Sequence, residues 1–151
     1  MNAGPYHGGF LGKGLKENYF DPGLGAKFSV GIIQSGKFNL AYYSLSFFRS
    51  KNHVLESTLQ TTVFHHSFEV FRNFGEKQIK PFAVFGLGAG VIKMDNVEGV
   101  DRYFYVPLGL GLHWAKKNFT LDLSARIFGA FGNQFGQKFG YETGFQCGLV
   151  L

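Results

Sequence analysis

The stretch His65-His-Ser-Phe-Glu69 is the one place in the sequence where side-chain types suggest catalysis. An imidazole can act as a base, a hydroxyl as a nucleophile, and a carboxylate can orient the imidazole. On a β-strand, where successive side chains alternate, His65, Ser67 and Glu69 would share one face. The same geometry works against a relay. Same-face neighbours on a strand lie roughly 7 Å apart, too far for direct proton transfer. These three residues are therefore the catalytic candidates of an alternative, and ordinary strand residues in the preferred reading. Gly86-Leu-Gly-Ala-Gly90 invites a nucleotide-loop assignment. That loop must open a helix, whereas this chain continues Val-Ile-Lys-Met-Asp-Asn, a strand and then a turn. No metal-ligand cluster or cofactor motif is present in the sequence.

The elements that would carry these residues are strands. From Tyr103 to Trp114 the chain alternates strictly: Phe104, Val106, Leu108, Leu110, Leu112 and Trp114 on one face, Tyr103, Tyr105, Pro107, Gly109, Gly111 and His113 on the other. The first face is wholly apolar and has an aromatic at each end. Tilted as barrel strands are, these residues span about 25 Å, the height of the lipid-facing band of an outer-membrane barrel. Phe104, Trp114, Phe119 and Phe131 are the expected aromatic girdle.

Composition agrees. Charged residues make up 17% of the chain and aromatics 18%, with 19 Phe and 22 Gly among 151 residues. So few charges would leave a soluble domain poorly hydrated. A membrane helix needs about 18 consecutive apolar residues, and the longest run here, Phe82 to Ile92, is flanked by Lys80-Pro81 and Lys93. The lone Cys147 allows no internal disulfide. The net charge of +5 is scattered rather than striped, which argues against nucleic acid and allows contact with anionic lipid. The opening Met-Asn-Ala-Gly-Pro has no signal-peptide features, so an exported protein would be represented here in mature form.

Turn-forming residues divide the chain into strands expected near 4–15, 24–34, 38–49, 57–71, 80–93, 103–115, 119–131 and 138–151. The connections include Asn18–Gly23, Ser35–Lys37, Ser50–His53, Asn73–Lys77, Asp95–Gly99, Lys116–Asn118 and Gly132–Gly136. Eight strands with nothing helical between them predict an all-β, antiparallel, up-and-down transmembrane barrel forming one domain over residues 1–151. An even strand number puts both termini at one end, the periplasmic end in a bacterial outer membrane. The alternation is clean in the later strands and less clean in the first four, over residues 4–71: in the third, Tyr42, Tyr43, Phe47 and Phe48 fall on both faces, and in the fourth Thr58, Gln60, Thr62 and His66 fall on the lipid side. The inward face collects Lys27, Glu69, Asp122, Arg126 and Glu142. In a narrow lumen such charges must pair, which predicts a plug rather than a pore; pairs that exchange partners to gate ions are the functional variant. A lipocalin-like soluble carrier would reverse the faces, with apolar residues inside.

Lys80-Pro-Phe-Ala-Val-Phe-Gly-Leu-Gly-Ala-Gly90, Pro107-Leu-Gly-Leu-Gly-Leu112 and the alternating final strands resemble the small eight-stranded outer-membrane barrels of the OmpA/OmpX type. The resemblance covers the whole chain as a pattern. It implies outer-membrane location and no cofactor. The reading that follows is a monomeric barrel that contacts outer-membrane lipids and lipopolysaccharide through its basic residues, with an envelope protein as a further partner. One departure is the ending Cys147-Gly-Leu-Val-Leu151, where such chains finish on an aromatic: a weak variant of that signal, or a chain that continues. The His-x-Ser pair with a Glu also resembles the outer-membrane lipid A deacylases, themselves eight-stranded. There the pair faces lipid on the penultimate strand, which here, from Phe119 to Phe131, has no His.

Overall fold

The computed structural model describes residues 1–11, 18–35, 39–54, 57–75, 77–95, 98–132 and 136–149. The strands are β1 (Asn2–Leu11), β2 (Asn18–Phe20), β3 (Gly23–Ser35), β4 (Asn39–Val54), β5 (Ser57–Asn73), β6 (Ile79–Met94), β7 (Asp101–Lys116), β8 (Phe119–Gly132) and β9 (Gly136–Leu149). Hydrogen-bonded neighbours run β4-β3-β1-β9-β8-β7-β6-β5, and β5 pairs back with β4. All pairs are antiparallel. The sheet is therefore a closed eight-stranded barrel without an edge, the arrangement that satisfies every ladder group internally. Met1 and Leu149 complete the seam, each N–H donating to the other's carbonyl at 2.8 and 2.9 Å.

β2 is not a ninth wall. It pairs with the far end of β4, Phe20 opposite Asn52, and β3 resumes beside the same strand with Leu24 opposite Arg49. Asp21-Pro22 interrupts this wall because proline has no N–H to give the ladder. Two expected connections are corrected here. Ser50–His53 is not a turn: these residues pair with Thr61, Gln60, Leu59 and Thr58 of β5. Asn18–Phe20, expected in the first connection, is strand. Ser50–His53 is polar, and Asn18–Phe20 runs directly into Asp21-Pro22-Gly23, so both resemble turns; backbone pairing does not depend on side-chain polarity. Residues 36–37, 76, 96–97 and 133–135 of the expected connections, and the expected strand residues 12–15, 38 and 150–151, lie outside the described residues.

Between β7 and β8 the reversal takes only Lys117-Asn118, with Lys117 at φ 53°, as tight hairpins require. In β7 and β8 burial follows the pleat. In β7 Tyr103, Tyr105 and Pro107 are buried while Phe104, Leu108, Leu110 and Leu112 are exposed. In β8 Thr120, Asp122, Ser124, Arg126 and Phe128 point in, and Leu123, Ile127 and Phe131 point out. The mixed third and fourth expected strands (β4 and β5) resolve the same way. Tyr42, Phe48 and Phe71 fill the interior, and Tyr43, Phe47, Phe64 and His66 face outward. The polar interior and apolar exterior are the reverse of a soluble lipid carrier.

Candidate functional site

The lumen carries the chemistry, in levels set by which inward residues each strand delivers. At mid-height β3, β5 and β8 aim Lys27, Glu69 and Arg126 at one another. Lys27 Nζ and Arg126 Nη1 each donate to Glu69 Oε1 at 2.7 Å, and all three side chains are buried. Ser67 Oγ donates to the same oxygen at 3.1 Å. Arg126 also lies 5.5 Å from the centre of the Phe71 ring, a cation–π contact. Room for the guanidinium comes from β7: a Cβ at Gly109 would collide with Arg126 Cγ. The glycines opposite the apolar face of β7 are thus spaces for lumen side chains.

Towards the end away from the termini, β5, β7 and β9 build a second level. Glu142 Oε1 meets His65 Nδ1 at 3.0 Å and accepts from Tyr105 Oη at 2.5 Å. His65 Nε2 lies 2.5 Å from Tyr103 Oη, and its ring stacks on Tyr105 with centroids 4.0 Å apart. Phe10, Phe48 and Phe128 pack around these groups. At the terminal end, Asp122 sits 2.6 Å from His113 Nδ1 and accepts from Asn2 Nδ2 at 2.9 Å. Beside it is a small cavity between Tyr42, Phe71, Phe82 and His113, with room for about one water molecule.

These placements sort the sequence candidates. Lys27, Glu69 and Arg126 form one cluster, Glu142 belongs to the second level and Asp122 to the third. Arg126 pairs with Glu69 across the barrel rather than with Asp122 on its own strand. His65, Ser67 and Glu69 share the inward face, yet they do not form a triad: His65 is taken by Glu142 and Tyr103. The expected separation is corrected for Ser67 and Glu69, whose side chains lean together to 3.1 Å although their backbones are two residues apart. Tyr103, Tyr105, His113 and Asn2 take part in the lumen network but were not singled out from sequence. For the first three, the signal was present, since they share the inward face of β7 with Gly109 and Gly111. Of the girdle residues, Phe104 lies opposite Phe131 across β7–β8 at one end. Trp114 packs edge-on against Phe119 at 6.0 Å at the other.

A closed eight-stranded wall, a filled ionic lumen and an apolar exterior are now in place. The chain has the fold of the small outer-membrane barrels. It matches Neisserial surface protein A (NspA) with a TM-score of 0.73 at 12% identity, covering 99% of this chain and 95% of that one. It matches the outer membrane enzyme PagL with a TM-score of 0.58 at 13% identity, covering 97% and 98%. No family model and no curated protein matches the sequence. At such identities the fold is what is shared.

Proposed function

We propose that this chain spans a bacterial outer membrane as a plugged barrel whose role is structural or interactive: anchoring in the bilayer, contacting its lipids and presenting short connections to envelope partners. The observation that carries this is the outward band of Leu, Ile, Val and Phe around a lumen filled by buried ion pairs. In water such a continuous apolar surface would drive association; in hydrocarbon it costs nothing. A lumen filled at mid-height by Lys27, Glu69 and Arg126 offers solutes no free passage. Acyl hydrolysis fits less well. Ser67 is buried in the lumen, its hydroxyl bonded to a carboxylate already held by two cations, and a lipid acyl bond would have to cross the wall to reach it.

Electrophoresis of refolded protein in SDS, boiled against unboiled, tests the proposal. A closed membrane barrel resists SDS until heated and shifts in mobility. A single unshifted band from protein soluble in plain buffer would overturn it.

A further inference from the structure

Among the described residues, outward cations gather near the end of the barrel away from the termini. On β4, β6 and β7 these are Arg49 and Lys51, Lys93, and Arg102, all exposed. Arg49 and Lys93 flank Thr62 of β5 in one lateral row. Three of these cations stand two residues above an outward apolar or aromatic side chain, Phe47 below Arg49, Val91 below Lys93 and Phe104 below Arg102, and Lys51 stands two residues above Arg49. Phe47 also contacts Phe64 of β5, with ring centres 6.2 Å apart. On the other strands the exposed apolar residues nearest this end, among those described, are Leu11, Leu24, Phe131 and Phe139, with Phe131 level with Phe104.

A cation directly above hydrocarbon-facing aromatics is where an anionic lipid headgroup sits when its acyl chains lie along the wall. Four strands cover three inter-strand spacings, about 14 Å, wider than a single phosphate. Four acidic residues are nearby among those described. Asp21 lies beside β4, its N–H donating to the Lys51 carbonyl at 2.9 Å. Asp95 reaches Arg49 at 3.5 Å, but both side chains are largely exposed, and such surface pairs are weak enough to exchange. Glu98 lies in the connection beyond, and Asp101 starts β7 on its inward phase.

We infer that the outer face of β4–β7 at this rim is a binding site for a lipid carrying more than one phosphate, held by Arg49, Lys51, Lys93 and Arg102 with its chains on Phe47, Phe64, Val91 and Phe104. This rests on the membrane-spanning role proposed above. The test is native mass spectrometry of the detergent-refolded barrel with diphosphorylated lipid A or the same lipid stripped of phosphate, each sample first checked for the SDS heat shift. Wild type retains the diphosphorylated lipid at least tenfold more strongly. Arg49→Gln with Lys93→Gln, and separately Lys51→Gln with Arg102→Gln, each weaken retention by about fivefold per removed charge. Lys116→Gln with Lys117→Gln at the opposite end leaves it unchanged. Equal retention of both lipids by heat-shifting protein, or equal loss in the Lys116/Lys117 variant, overturns the site while leaving the barrel intact. Absence of the heat shift in wild type overturns the membrane reading itself.

Discussion

Leu110 and Arg126 stand almost side by side, since Gly109 of β7 pairs directly with Arg126 of β8. One residue of phase separates their environments completely. Leu110 is 66% exposed on the outer wall and Arg126 is 4% exposed in the lumen. The comparison shows that one sheet maintains two opposite solvents, and that stability fails differently on each side. Inside, charges are tolerated only because they compensate one another, so the damaging change is to remove a partner. Outside, the damaging change is to add a charge where nothing can compensate it.

The largest effect should come from the inner side. Glu69→Ala takes away the acceptor shared by Lys27 and Arg126 and leaves two buried cations uncompensated. We expect a loss of about 3–5 kcal/mol, measured by urea unfolding of the barrel in lipid vesicles. A loss below that of an outer Leu→Ala change would mean that the pairs are not coupled to folding.

Next is the outer side. Leu110→Arg, in the middle of the apolar stretch between Phe104 and Trp114, should cost about 2–4 kcal/mol in the same vesicles. The contrast sharpens with Lys116→Ala at the rim, which should be close to neutral. Equal effects at the two positions would dissolve the band.

The smallest effect belongs to the terminal mouth of the lumen. His113→Ala removes one neighbour of Asp122 but leaves the bond from Asn2, and the pair is partly open to solvent. A loss of about 0.5–1.5 kcal/mol is expected, again by urea titration.

How much of this was readable from sequence follows the same division. The faces of β6 to β9 were legible because glycine and charge alternate there with Leu, Ile, Val and Phe, and a period of two leaves one choice of phase. β4 and β5 were harder, because aromatics serve both solvents: Phe48 and Phe71 fill the lumen while Phe47 and Phe64 face outward. Their residue types are identical, so only the closed sheet separates them. The upper end of β4 was misread because Ser50–His53 has a turn-like composition. The membership of the inward charge set could be read from phase. The pairing could not, because Lys27, Glu69 and Arg126 are 42 and 57 residues apart in sequence and meet only once the barrel closes. Tyr103 and Tyr105 were overlooked for a related reason, since a tyrosine acquires its role from the carboxylate or imidazole that another strand brings to it.

The central claim is that a single residue step along the wall exchanges hydrocarbon for an ionic interior. Nitroxide scanning of β7 from Phe104 to Trp114, in a Cys147→Ser background reconstituted into vesicles, measures this directly. Outward positions 104, 106, 108, 110, 112 and 114 should collide readily with oxygen and poorly with an aqueous nickel reagent. Inward positions 105, 107, 109, 111 and 113 should be shielded from oxygen and strongly immobilised. Oxygen accessibility with no period of two, or nickel access at the outward positions, would contradict the account.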